Sequence, residues 1–128
     1  MKNKKLQLIA KNVIQDEINA LKKIKSSIGN SFNQIVKTIL NRKNGKIIIS
    51  GVGKSGIIGK KWAATFSSVG IPSFFLDASN ASHGDMGQIT SNDTVILISL
   101  SGQSEELKNI IQYTSRNKTI KLIGITSR

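Results

Sequence analysis

Apolar residues along the chain change between helical and strand spacing. From Leu6 to Ile28 and from Phe32 to Leu40 they recur every three or four residues, which predicts two amphipathic helices. The same spacing over Ile57–Val69 predicts a third helix, and a fourth is expected to begin after Ser104. Four β-prone runs predict strands: Lys46–Ser50, Ser73–Leu76, Thr94–Ile98 and Thr119–Ile125.

This order of elements predicts an α/β fold. Strands that alternate with helices form right-handed βαβ units, so we expect a three-layer, doubly wound parallel sheet of four strands. We expect residues 1–30 to form an amphipathic helix and residues 31–128 the α/β domain. The first helix would be about 34 Å long, longer than one small sheet covers. Part of its apolar stripe is therefore expected to contact another subunit of a homo-oligomer.

Composition narrows the class of protein. The 128 residues suit one domain, include no cysteine, and contain no run of about 18 apolar residues that could span a bilayer. We therefore expect a cytoplasmic protein without membrane contact. The net charge is +12, and residues 1–61 carry all of this excess, with 14 Lys and Arg against two acids. Because aromatic residues do not interleave with these cations, we expect a solvated lysine surface and no nucleic-acid partner.

A glycine-rich turn follows the first predicted strand. Gly51-Val-Gly-Lys-Ser-Gly56 leaves backbone N–H groups bare at a helix N-terminus, which is a place that holds phosphate. The spacing also matches the G-x-G-x-x-G pattern of dinucleotide sites, with Asp77, 21 residues beyond the last glycine, as the ribose ligand. A P-loop for nucleoside triphosphates is excluded, because its first glycine would fall at Ile48.

A second tight turn, Ser99-Leu-Ser-Gly-Gln-Ser104, follows the third predicted strand. Its three hydroxyls and its backbone donors lie near a helix N-terminus and suit the oxygens of a phosphate monoester. Because the carboxyl ends of parallel strands share one edge, this turn is expected to meet Gly51–Ser55 and Asp77–Gly84. The sequence therefore predicts an anion site shared by three loops.

Three kinds of titratable side chain lie in or beside these loops. Lys54 would balance phosphate charge or stabilise an enolate-like oxygen. His83, the single histidine, would contact a sugar. Glu105 or Glu106 could serve as a general base, and the pattern alone does not choose between them.

Five blocks of sequence resemble the sugar isomerase (SIS) domain of arabinose 5-phosphate isomerases. They occur in the family's order: Gly51–Gly56, Ala63–Phe66, Gly70–Phe75, Ala81–Gly87 and Ser99–Glu106. The resemblance implies conversion of D-ribulose 5-phosphate to D-arabinose 5-phosphate, the entry to Kdo synthesis for lipopolysaccharide or capsule. It also implies a flavodoxin-like sheet, a tetramer with active sites between subunits, and a reaction that needs no redox cofactor or metal.

The resemblance assigns roles to individual positions. Lys54 and Glu106 match catalytic residues of the family. Asp77 matches a position that is often histidine and can bind an inhibitory metal, although aspartate keeps only a carboxylate there. Gln103 stands where many members have glutamate. The substrate-binding positions implied by the resemblance are Ser55, Gly70, Ile71, His83, Ser99, Ser101, Gly102 and Ser104.

Members of this family continue past the fourth strand with a fifth strand and a helical segment that carry a second catalytic glutamate and a catalytic histidine. We therefore expect an amino-terminal piece of such an isomerase, with four strands present, the carboxyl-terminal part missing and the activity impaired. Two alternatives stay open. One is a sugar-phosphate-binding module or remnant without catalysis, and the other is a dinucleotide-binding domain whose NAD affinity the Asp77→Ala change weakens.

Overall fold

The structure, a computed structural model, describes residues 2–127 and alternates helices with strands. Among these residues, no helix combines the length and the apolar character that a membrane span needs. The elements in chain order are α1 (Lys2–Ser27), α2 (Asn30–Leu40), β1 (Ile47–Gly51), α3 (Lys54–Ser68), β2 (Ser73–Phe75), α4 (Ala78–Ala81), a 3₁₀ turn (Asp85–Gln88), β3 (Thr94–Ile98), α5 (Glu105–Ser115) and β4 (Lys121–Ile125).

The four strands form one parallel sheet in the order β2-β1-β3-β4. Ile49 of β1 lies opposite Phe75 of β2 and Ile96 of β3, and Gly51 lies opposite Ile98 at the ends of β1 and β3. The chain passes from β1 out to β2 and returns on the other side of β1. The winding therefore reverses between β1 and β3, the place where such sheets bind ligands. The predicted α/β parallel sheet is confirmed.

Helices cover both faces of the sheet and complete three layers. On one face, α2 and α3 pack against Ile47 and Ile49. On the other face, α4, the 3₁₀ turn and α5 pack against Ile48 and Val95. Ile47, Ile48 and Ile49 have no exposed surface, because successive side chains of β1 enter the two cores in turn. This two-sided burial explains the unbroken isoleucine run.

The chain divides into two compact units after Gln34, four residues beyond the predicted division at residue 30. In the first unit, α1 runs for 26 residues, and its described side chains are all exposed. Its apolar stripe includes Leu21 and Ile24, which are 63% and 58% exposed. The second unit begins at Ile35 and contains the whole sheet.

Two segments differ from the elements that the sequence predicts. Helix α3 begins at Lys54, three residues before the predicted start at Ile57, so the lysine lies in its first turn. The segment Asp77–Ile89, predicted as a loop with one helical turn, contains both α4 and the 3₁₀ turn. Neither element is long enough to show a periodic apolar pattern. Helix α4 is a single turn, and the residues that it buries, Ala78 and Ala81, are small.

The loops that precede β1 and β3 form what we call the amino edge of the sheet. There Asp93, 1% exposed, accepts hydrogen bonds from the Lys46 amide at 2.9 Å, the Lys46 Nζ at 2.8 Å and the Thr90 amide at 2.7 Å. Burial by itself raises the pKa of Asp93, but these hydrogen bonds outweigh it and hold the pKa below its usual range. At Gly45, a Cβ would overlap the carbonyl oxygen of Asn92, so the two loops meet backbone to backbone.

Candidate functional site

The loops that follow the strands form the opposite edge of the sheet, the carboxyl edge. The first of these loops is Gly51–Gly56, which we call the glycine turn. A Cβ at Gly51 would lie 2.9 Å from the carbonyl oxygen of Ile98, and one at Gly56 would lie 2.7 Å from that of Gly51. Only glycines allow α3 to start this close to the end of β1. Lys54 is exposed and Ser55 is half-buried in the first turn of α3. The turn thus brings a cation and a hydroxyl to a helix N-terminus, which favours anions.

Hydroxyl groups hold Ser99–Ser104, the serine turn, in shape. The Ser99 Oγ accepts a hydrogen bond from the Gly102 amide at 3.1 Å and lies 2.9 Å from the Ser104 Oγ. The Ser101 Oγ accepts one from the Gln103 amide at 3.1 Å. Ser104 is the N-cap residue of α5, as predicted, but its hydroxyl bonds Ser99 instead of the helix amides. Ser101 and Gly102 are exposed and are the members most open to a ligand.

The two turns share one cavity. It has a volume of about 260 Å³, and its lining includes Ser55 of α3, Ser99 of the serine turn, and Thr126 and Ser127, which follow β4. Its position follows from the sheet register, because the glycine turn and the serine turn leave paired ends of β1 and β3. The structure therefore brings together the two turns for which the sequence predicts phosphate contacts.

A third loop brings His83 to the same edge. The loop follows β2 and α4, and His83 is exposed, with its amide donating to the Asn80 carbonyl at 2.8 Å. The neighbouring Ser82 Oγ accepts a hydrogen bond from the Asn109 side-chain amide of α5 at 2.9 Å. This bond joins the histidine loop to the helix that begins at the serine turn.

The contacts of α5 distinguish its two N-terminal glutamates. Glu105 forms an ion pair with Lys108, with 2.6 Å between Oε1 and Nζ, and Lys108 lines a groove against β4. Glu106 lies three residues before Asn109, and residues three apart are neighbours on a helix surface. Asn109 in turn bonds the histidine loop through Ser82. Glu105 thus has a cation partner, whereas no ion pair of Glu106 is found among residues 2–127.

Gly70 and Ile71 lie away from these loops. Both precede β2 and are therefore at the amino edge, roughly 15 Å from the glycine turn at about 3.3 Å per strand residue. Ile71 packs into the core beside β1, and its amide donates to the Phe66 carbonyl at 2.9 Å. Within one copy of the chain, these two predicted substrate-binding positions do not join the cavity.

Asp77 is the N-cap of α4. Its Oδ1 accepts a hydrogen bond from the Ser79 amide at 2.9 Å. Between residues 2 and 127, no group of three or more His, Cys, Asp or Glu side chains is arranged to hold a metal ion. The metal-binding role that the resemblance implies for Asp77 stays a prediction.

Three residues at the carboxyl edge were not predicted from the sequence. Thr126 lines the shared cavity and also the groove beside α5, and the Ser127 Oγ donates to the Leu100 carbonyl at 2.6 Å. Asn109 anchors the histidine loop. The rule that all parallel strands end at one edge would have pointed to Thr126 and Ser127, which follow β4 directly. The Asn109 contact had no such signal, because it depends on helix packing.

The SIS-domain family model matches residues 39–128, which include the whole sheet and all three loops of the carboxyl edge. The chain belongs to the SIS-domain family. The match begins near the end of α2, so the family's domain corresponds closely to the second compact unit.

Curated relatives resemble almost the whole chain. An uncharacterized protein of Rickettsia prowazekii, RP505, is 48% identical over 120 residues, covering 94% of this chain and 37% of the relative. The arabinose 5-phosphate isomerase KdsD of Francisella tularensis is 47% identical over 113 residues, covering 87% of this chain and 34% of the relative. The chain thus spans just over a third of the length of these relatives.

A solved structure with the same fold is that of Escherichia coli CFT073 c3406 in complex with arabinose 5-phosphate. It is 37% identical in sequence and superposes with a TM-score of 0.91, over 100% of this chain and 67% of the other. The four-stranded parallel sheet and its covering helices are therefore those of a solved SIS-type protein.

Proposed function

We propose that this chain is the sugar-phosphate-binding part of an aldose–ketose isomerase that interconverts D-ribulose 5-phosphate and D-arabinose 5-phosphate. The observation that carries the proposal is the cavity shared by the glycine turn and the serine turn. The proposal is supported by the name of the KdsD relative and by the arabinose 5-phosphate complex of c3406, the 37% identical solved structure. The product would feed Kdo synthesis for lipopolysaccharide in the cytoplasm.

The proposed roles follow from the chemistry of the reaction. The exposed hydroxyl and amides of the serine turn bind the phosphate, with Lys54 balancing its charge, and this fixes the sugar in place. Glu106 removes a proton from C1 of the ketose while the C2 oxygen gains one, which forms an enediol. The enediol then gains a proton at C2 and loses one from the C1 oxygen, which gives the aldose. His83 contacts a sugar hydroxyl, and the net oxidation state does not change.

The proposal is tested by ligand binding to the 128-residue chain. We expect arabinose 5-phosphate and ribulose 5-phosphate to raise the thermal midpoint in a saturable manner, and NAD to leave it unchanged. The double variant Ser101→Ala/Ser104→Ala should weaken sugar-phosphate binding at least tenfold, about 1.4 kcal/mol. Ser115→Ala is the matched control, because its exposed hydroxyl bonds only the Gln112 carbonyl at the far end of α5. Saturable NAD binding without sugar-phosphate binding would contradict the proposal.

Binding without turnover is the second candidate function. It is favoured by the lining of the shared cavity, which among the described residues includes neither Lys54 nor Glu106. A coupled assay for arabinose 5-phosphate formation separates the two candidates. Turnover that Glu106→Gln abolishes, while sugar-phosphate binding remains, supports catalysis by this chain. Binding without measurable turnover in the unaltered chain supports the non-catalytic module.

The exposed stripe of α1 supports a homo-oligomer as part of the proposed function. An apolar helix face of this length is stable in water only when another surface covers it, and we propose that a second copy of the chain does so. Light scattering after size exclusion should give a multiple of 13.9 kDa. Leu21→Lys should lower that mass, whereas Asn12→Lys, an equal charge change at a polar position, should not. A monomeric unaltered chain would contradict this part.

A further inference from the structure

A second concavity lies at the amino edge, on the far side of the sheet from the shared cavity. Its volume is about 370 Å³, within the range of about 300–1,000 Å³ that small-ligand sites occupy. It is lined by the last turn of α2, the loop that follows α2, and the residues that lead into β3 and β4. None of the residues assigned to the sugar-phosphate site lines it.

Four cationic side chains converge on this basic concavity: Lys37, Arg42, Lys43 and Lys121. They come from separate parts of the chain, and the sheet brings Lys121 to the loop that carries Arg42 and Lys43. The ion pairs found among residues 2–127 are Lys46–Asp93 and Lys108–Glu105, so no carboxylate in the described chain neutralises any of the four. Arg42 also donates to the Ile39 carbonyl at 2.9 Å, which holds its guanidinium against the end of α2.

Asp93, which adjoins two lining residues in the sequence, contributes no free charge to the concavity. Asp93 lies between Asn92 and Thr94, both of which line the concavity, but Asp93 itself is 1% exposed. Its oxygens accept hydrogen bonds from Lys46 and Thr90. The field inside the concavity is therefore strongly positive, and a compact anion would meet several cations at once.

The remaining lining favours phosphate over nucleic-acid bases. Asn41 and Asn92 are exposed, and their side-chain amides can donate hydrogen bonds to phosphate oxygens. No aromatic residue is among the described lining residues, so the concavity offers no surface on which bases could stack. We propose that this basic concavity binds the polyphosphate group of a small molecule, a nucleoside triphosphate or an inorganic polyphosphate. The proposal does not depend on the sugar-phosphate site at the carboxyl edge.

The test is calorimetric titration of the 128-residue chain with tripolyphosphate, ATP and inorganic phosphate at low ionic strength. We expect one saturable site for tripolyphosphate and for ATP, binding at least tenfold tighter than inorganic phosphate, which can engage fewer of the four cations. Equal affinity for tripolyphosphate and ATP identifies the phosphate chain as the whole ligand. Tighter ATP binding identifies a nucleotide. A single-stranded oligonucleotide that binds tighter than either would overturn the proposal.

Matched charge variants separate a site from general attraction to a chain with a net charge of +12. Lys43→Ala/Lys121→Ala should weaken tripolyphosphate binding roughly tenfold. Lys22→Ala/Lys25→Ala removes the same charge from α1 and should weaken it less than about twofold. If the first double variant does not fold, each of its single changes should weaken binding about threefold. Equal weakening in both double variants, or no saturable binding, would refute the site.

The location of binding is checked by amide chemical shifts in a ¹⁵N-labelled chain. Tripolyphosphate should shift the amides of Asn41, Lys43 and Lys121 and leave those of Ser101 and Gly102 in place. Arabinose 5-phosphate, if the proposed function is correct, should do the reverse. Tripolyphosphate shifts confined to the serine turn would mean that it occupies the sugar-phosphate site, and the inference would fail while the proposed function survived.

Discussion

The amino edge and the carboxyl edge of the sheet differ in how their loops are held. At the amino edge, the Asp93 carboxylate accepts four hydrogen bonds from Lys46 and Thr90, and Gly45 touches the backbone of Asn92. At the carboxyl edge, small hydroxyls shape the loops, and Lys54 and Ser101 stay exposed. The Asp93 and Gly45 contacts are made within the chain, whereas Lys54 and Ser101 remain available to a ligand. Changes at Gly45 and Asp93 should therefore affect folding, and changes at Lys54 and Ser101 should affect binding.

The largest effect is expected at Gly45. A Cβ there would overlap the Asn92 carbonyl oxygen and lie 2.6 Å from its carbonyl carbon, and neither loop can move away without breaking the Asp93 contacts. Gly45→Ala should lower the free energy of unfolding by about 4 kcal/mol or prevent folding. Gly87→Ala is the control, because a Cβ at Gly87 meets nothing within 4 Å. A urea midpoint for Gly45→Ala close to that of the control would contradict the role of this backbone contact in folding.

The second largest effect is expected at Asp93. Asp93→Ala leaves the Lys46 and Thr90 amides without their acceptor. It should therefore lower the free energy of unfolding, measured in urea at neutral pH, by about 3 kcal/mol. Asp16→Ala, an exposed carboxylate on α1, should change the stability by less than about 0.5 kcal/mol.

The cost of losing Asp93 should depend on pH. Because the pKa of Asp93 is lowered in the folded chain, the unfolded chain takes up a proton first as the pH falls. The stability from this group is therefore present above pH of about 3.9, the ordinary value for Asp, and is lost as the pH falls through the lower folded value. The gap between the unaltered chain and Asp93→Asn should narrow over that range. A gap that stays constant down to pH of about 2 would contradict the lowered pKa.

At the carboxyl edge, Lys54→Ala should change binding and not folding. The side chain is exposed and the described chain shows no ion pair for it, so we expect the stability to change by less than about 0.5 kcal/mol. Sugar-phosphate binding should weaken about tenfold, because one cation near the phosphate is removed. Lys61→Ala on the same helix is the matched control and should leave binding unchanged. A large loss of stability in Lys54→Ala would mean that the lysine serves the fold.

The smallest effect is expected at Ser50, just before the glycine turn. Its hydroxyl is completely buried and has no hydrogen-bond partner among the described residues. Ser50→Ala should therefore be neutral or stabilise the chain by up to about 1 kcal/mol. Ser73→Ala should act in the opposite direction by a similar amount, because that hydroxyl donates to the Ala63 carbonyl at 2.8 Å. Calorimetric midpoints for the pair check the sign.

The local pattern of residues was sufficient to predict the bounds of an element that buries a continuous apolar run. The predicted bounds of β3, Thr94–Ile98, are those of the structure, because five β-prone residues lie between two polar turns. The start of α3 was placed too late, since a Gly-Lys-Ser-Gly sequence is also typical of a turn. Helix α4 gave no periodic signal at all, and only its N-cap, Asp77, marks it.

Long-range contacts could not be predicted from spacing. Gly45 and Asn92 are 47 residues apart, and nothing near either one indicates that their backbones touch. The contact of Asn109 with Ser82 likewise depends on the packing of α5, and the catalytic role of Glu106 stays a prediction. The convergence of the glycine and serine turns was predictable, because it follows from parallel strands alone.

The central position of β1 determines which part of the domain opens last. Strands pair with it on both sides, and helices cover both of its faces, so its amide protons should exchange with deuterium only through global unfolding. The 3₁₀ turn and α4, short and near the surface, can open locally at much lower free energy. Lys54 is three residues from the end of β1 and therefore keeps its place during these partial openings, while His83 moves with them.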